Sequence, residues 1–167
     1  MTHVLVLLLA LLIGVVAGLR ALTPPAVVAW GAALGWLSVD GTWAQWVGHP
    51  ITVTVLTILL VVELVTDQLP STPSRTVPAQ FIARLVTGGF AGAVIGAPIW
   101  DQVNQHGYTF SAFGAGVVGA VLGTMGGYQA RRRLVAANGG HDLPVALTED
   151  AIAVLGGFAI AAAAAAL

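Results

Sequence analysis

The chain has 167 residues, of which 57% are hydrophobic and 8% charged, with seven acids, six arginines, no lysine and no cysteine. With a mean hydropathy of +0.92 it lacks the polar surface that a water-soluble globule needs. That excludes a soluble enzyme, a disordered chain and a basic nucleic-acid-binding domain, and it removes disulfides and thiolate chemistry.

Apolar stretches bounded by Pro, Gly and charge fall at 4–22, 24–38, 51–67, 79–99, 110–130 and 147–166. Crossing a bilayer core of about 30 Å takes roughly 20 helical residues, so the first, fourth, fifth and sixth stretches are long enough to span alone. Val4–Leu19 follows only Met-Thr-His. Without a positively charged leader it reads as a retained membrane helix rather than a signal peptide. The second stretch is short and opens with Pro24 and Pro25. It either borrows Val39 to Trp46, with Trp36, Trp43 and Trp46 as an interfacial belt, or forms a re-entrant half-helix. The expected fold is an all-α, polytopic transmembrane bundle in one domain, residues 1–167, with six spans or five plus a re-entrant helix.

The run Arg131-Arg132-Arg133 closes the fifth span and marks the cytoplasmic side. Counting back, Arg75, Arg84 and Arg20 fall on the same side, leaving Asp40, His49, Asp101 and His106 outside with Trp100 and Tyr108. The expected location is a membrane whose arginine-rich face meets the cytoplasm.

Three outward-running segments begin alike, Leu22-Thr23-Pro24, Val86-Thr87-Gly88 and Leu147-Thr148-Glu149. Threonine is a good N-cap, so these are three independently capped helices or the marks of a helical-hairpin repeat. Glycines recur every four residues at Gly88, Gly92 and Gly96, at Gly119, Gly123 and Gly127, and as the pairs Gly14/Gly18 and Gly31/Gly35. Such stripes let helix backbones approach closely, within one chain or between copies of a homo-oligomer.

Ionisable groups inside spans cost at least about 2.5–3.5 kcal/mol and call for a partner or a task. Glu63 and Asp67 share a face of the third span, Arg84 lies just inside the fourth, and Glu149 and Asp150 open the sixth. With Arg20 they should form one cytoplasmic-side cluster. Two arginines against four acids favour a cation or proton, with Glu63 and Asp67 as acceptors and Arg20 and Arg84 as counter-charges. The proline-rich segment 68–80 is a gate or a plain connector. Alternatively Thr23, Thr87, Arg20 and Arg84 at helix N-termini bind an anionic lipid head group or isoprenoid phosphate. A third alternative is a structural protein without a ligand. His3, His49, His106 and His141 have no metal-ligand spacing. No enzyme activity, cofactor or nucleic-acid partner is expected; membrane lipid is.

The strings GLRALTPPAVVAWGAALGWL (18–37), ELVTDQLPSTPSRTVP (63–78) and ARLVTGGFAGAVIGAP (83–98) resemble a family of small bacterial membrane proteins classified only as a domain of unknown function. The resemblance implies a compact polytopic membrane protein and names no reaction or ligand.

Overall fold

A computed structural model describes residues 2–67, 75–99 and 107–166. Among them are six α-helices and no strand: α1 (Thr2–Leu19), α2 (Thr23–Ala33), α3 (Pro50–Thr66), α4 (Pro78–Gly96), α5 (Gly107–Ala137) and α6 (Asp142–Ala164). The helical bundle expected from composition is what forms. By length and composition α4, α5 from Tyr108 onward and α6 can cross a membrane, while α1 and α3 are apolar but shorter. The outer face of α3 carries Ile58, Val61 and Val65, each more than half exposed, a surface suited to lipid.

The centre is a three-helix unit of α1, α4 and α5 held at glycine contacts. A Cβ on Gly119 or Gly123 would strike the carbonyl oxygens of Leu11 and Val15, and one on Gly18 would strike the backbone of Gly123 and Thr124. These matches advance together along both chains, so α1 and α5 run parallel. On α4, Gly88 faces Ala17 and Ala120, and Gly92 faces Ala112 and Gly116, which runs α4 the opposite way. Close backbone approach replaces the hydrophobic drive that lipid cannot supply.

The second stretch departs from a full span. α2 has 11 residues, about 16 Å at 1.5 Å per residue. Its end is set by Gly35 at φ +73°. The Gly35 N–H donates to Ala32 at 3.1 Å and the Trp36 N–H to Gly31 at 2.8 Å, a Schellman stop. The chain then folds back, with Gly48 beside Ala32 and Ala33. This shape fits the re-entrant alternative, not a sixth span. Trp43 and Trp46 pack on Phe90, and Trp36 packs on Phe158. Ile13, Val27, Val28, Val47 and Val94 fill the interior between these parts.

Helix ends also moved. α5 runs through all three arginines to Ala137, because arginine is a good helix former. α6 starts at Asp142, so Glu149 and Asp150 sit beyond its first turn instead of opening it.

Candidate functional site

The ends of α1, α3, α4, α5 and α6 meet in one buried ionic layer. At its middle Arg20, 1% exposed, donates from Nη1 to Asp67 on α3 and from Nε to Asp150 on α6. Two helices far apart in sequence are therefore tied to the last turn of α1 through one guanidinium.

Glu63 is held by backbone rather than by an arginine. Its two carboxylate oxygens accept the Ala21 N–H at 2.6 Å and the Leu22 N–H at 2.8 Å. It thus satisfies backbone donors at the α1–α2 corner, the service a cap performs. Those two donors, just before Thr23, are therefore taken by the chain itself. Glu63→Gln should cost about 1–3 kcal/mol, since an amide NH₂ would face a backbone N–H. Thermal melting in detergent reads this, and an unchanged midpoint would show the bonds to be dispensable.

Arg84 has the complementary position. Its Nη1 donates to the carbonyls of Ala17 and Gly18, at 3.3 and 3.2 Å, where α1 ends and orphan carbonyls collect. Among the described residues no carboxylate lies within ion-pair distance of it. Its Nε, the Arg20 Nη2 and the hydroxyls of Thr23 and Thr124 are buried without a hydrogen-bond partner. Thr124 is level with Arg84: Gly88 meets Ala120, and each of the two polar residues lies four positions further toward the layer.

Glu149 is reached by Arg75 and Arg131, which the sequence places on this side but outside the cluster. Arg75 binds it bidentately at 2.5 and 2.8 Å, and Arg131 adds a bond at 3.3 Å. Arg131 also grips Asp142 bidentately at 2.9 and 2.7 Å. Gly127 makes room for this group, since a Cβ there would lie 2.9 Å from the Arg75 Nη1.

Arg20, Asp67 and Asp150 are thus in direct contact, and Glu149 joins the layer through Arg75 and Arg131. Glu63 and Arg84 flank the end of α1 without pairing with each other. Thr87 is outside the layer: it lies within α4 and donates to the Arg84 carbonyl at 3.3 Å. Thr148 likewise lies within α6, bonded to the Pro144 carbonyl at 2.8 Å. Since only Thr23 begins a helix, the hairpin repeat loses the equivalence on which it was drawn. Residues 68–74 of the gate segment, and Trp100, Asp101 and His106, lie outside the described residues. His49 caps α3, accepting from the Ile51 N–H. Among the described residues no three His, Asp or Glu are gathered as a metal-holding group.

Sequence reasoning missed Arg75, Arg131, Asp142 and Thr124. The Asn138-Gly139-Gly140 turn was the available signal for one pair. Both glycines have positive φ there, and the tight reversal brings Arg131 back to Asp142.

Neither the curated proteins nor the solved structures contain a match to this chain. Residues 7–167 match the family described as Domain of unknown function (DUF4126), and the chain belongs to that family.

Proposed function

We propose that the protein is a small multi-pass transporter or channel of the bacterial cytoplasmic membrane. In this reading it moves a proton or small cation at the ionic layer, which faces the cytoplasm, and it is a carrier rather than an enzyme. The observation that carries the reading is Arg20, almost wholly buried and shared between Asp67 and Asp150. A shared cation between two carboxylates is a two-state element, because neutralising either acid shifts the guanidinium to the other.

Charge arithmetic supports it. Glu63, Asp67, Asp142, Glu149 and Asp150 face Arg20, Arg75, Arg84 and Arg131, so five carboxylates against four guanidiniums leave one negative charge. The buried unpartnered atoms of Arg20, Thr23, Arg84 and Thr124 give water a foothold beside the pair. Gly114 and Gly156 meet nothing within 4 Å, which leaves surface for a second copy in a homo-oligomer.

The test is flux into proteoliposomes under an imposed pH or potassium gradient. Asp67→Asn should lower it at least about tenfold, the effect of removing one proton-accepting partner. Flux equal to wild type would remove Asp67 from the mechanism, and no flux from wild type under either gradient would remove transport.

A further inference from the structure

Helical threonines in this chain have a habitual partner. Thr54, Thr57, Thr66 and Thr148 each return the hydroxyl to the carbonyl four residues back, at 2.7–2.9 Å. Thr124, inside α5 and 0% exposed, does not: its Oγ1 is buried without a hydrogen bond. Across the seam the Arg84 Nε is buried and unpartnered as well, on a residue 3% exposed. Both residues border Gly18. The Arg84 Nη1 donates to the Gly18 carbonyl at 3.2 Å, and a Cβ on Gly18 would strike the backbone nitrogen of Thr124. One level along, Ala17, Gly88 and Ala120 close the same three-helix seam through apolar contact. Two orphaned donors therefore stand at the polar end of that seam, and buried polar groups of this kind call for a partner.

Charge decides which partner. Each other guanidinium of the layer touches a carboxylate: Arg20 has Asp67 and Asp150, Arg75 has Glu149, and Arg131 has Asp142 and Glu149. Arg84 has two neutral carbonyls instead. Glu63, on the other side of the α1 end, is turned to backbone N–H groups. Depth runs the same way. Arg20 and Arg84 are the most deeply buried charges, whereas Glu63 and Glu149 are 8% and 9% exposed and Asp67 and Asp150 more so. The innermost part of the layer is therefore positive. A water between the Arg84 Nε and the Thr124 Oγ1 would satisfy both donors and leave the charge standing. A small anion accepts both bonds and neutralises it. So closed a site admits a dehydrated ion rather than a lipid head group. We propose that the Arg84 Nε and the Thr124 hydroxyl bind a small monovalent anion, chloride, at the α1–α4–α5 seam. The site is separate from the Arg20 pair and holds whether or not the layer carries a proton or cation.

Thermal melting of the full chain in neutral detergent tests this, in sodium chloride against sodium gluconate at equal ionic strength. The midpoint should be higher in chloride, and should climb with the logarithm of its concentration once that exceeds Kd. Thr124→Val removes the hydroxyl at nearly constant size. It should weaken the chloride affinity read from that titration at least about tenfold, the weight of one hydrogen bond to a charged group. Its midpoint in gluconate should stay at or above wild type, since an orphaned hydroxyl has gone. Thr124→Ser keeps the donor and should keep the chloride response. Thr124→Ala replaces the valine variant should that one fold poorly. Anomalous diffraction from crystals grown in bromide should place the ion against both the Arg84 Nε and the Thr124 Oγ1. Equal wild-type midpoints in the two salts overturn the proposal. So does an undiminished chloride response in the folded valine or alanine variant, or a water in place of bromide at that position.

Discussion

Gly123→Leu is expected to prevent assembly of the three-helix centre, with a loss above about 4 kcal/mol, beyond what all but exceptional single changes cost. The reason is the nature of the neighbour. A Cβ at 123 would meet the Val15 carbonyl oxygen, with the Val15 carbonyl carbon and Cα both at 2.9 Å. Backbone of a packed helix has no rotamer to swing aside, so α1 and α5 must separate. Separation propagates, because Gly18 and Gly119 sit at the same seam and would lose contact together. Moving the end of α1 also displaces the carbonyls that Arg84 holds and the guanidinium of Arg20. Gly126→Leu is the control. Nothing lies within 4 Å of a Cβ there, and the change should stay within about 0.5 kcal/mol. The comparison is monodisperse yield and melting midpoint in one detergent. Equal behaviour of the two variants would show that the seam tolerates separation.

The same glycines show what spacing can and cannot disclose. Four-residue recurrence placed Gly88, Gly92, Gly119 and Gly123 on helix faces, but spacing does not say which backbone lies opposite. Gly31 and Gly35 had the same signature and different fates. Gly31 stays helical beside Leu37 and Ala161, whereas Gly35 adopts positive φ and ends α2. Spacing alone does not separate a contact glycine from a stop glycine, since both need the missing Cβ. Hydropathy had a related blind spot. It reads where lipid ends, so the arginines at 131–133 and the acids at 149–150 look like helix ends, although the helices continue past them.

In the ionic layer the demand for partners was legible and their identity was not. Glu63 and Arg84 had to be compensated, and both are, by backbone N–H and C=O groups at the two sides of one chain corner. Every residue offers such groups, so no residue type announces them. Arg20 meets Asp150 across 130 positions, a pairing that only the closed bundle specifies.

Arg20→Gln should be the most damaging single change within that layer. It takes from Asp67 and Asp150 the guanidinium they share, while their side chains remain 16% and 13% exposed. Deleting one partner of a buried ion network typically costs about 3–5 kcal/mol, more than the network contributes over a neutral replacement. The loss can therefore be largely reversed by neutralising the partners. Adding Asp67→Asn and Asp150→Asn to Arg20→Gln removes the charges that lost this guanidinium and should recover most of the loss, leaving a folded protein within about 2 kcal/mol of wild type. A triple variant as unstable as Arg20→Gln would place the cost in lost packing of the arginine stem instead of charge. The folded triple variant also separates scaffold from carrier. With nothing at the centre of the layer able to exchange a proton or a counter-ion, proteoliposomes containing it should show no gradient-driven flux. Wild-type flux from a folded, fully neutral Arg20–Asp67–Asp150 site would leave those three residues holding helices together and nothing more.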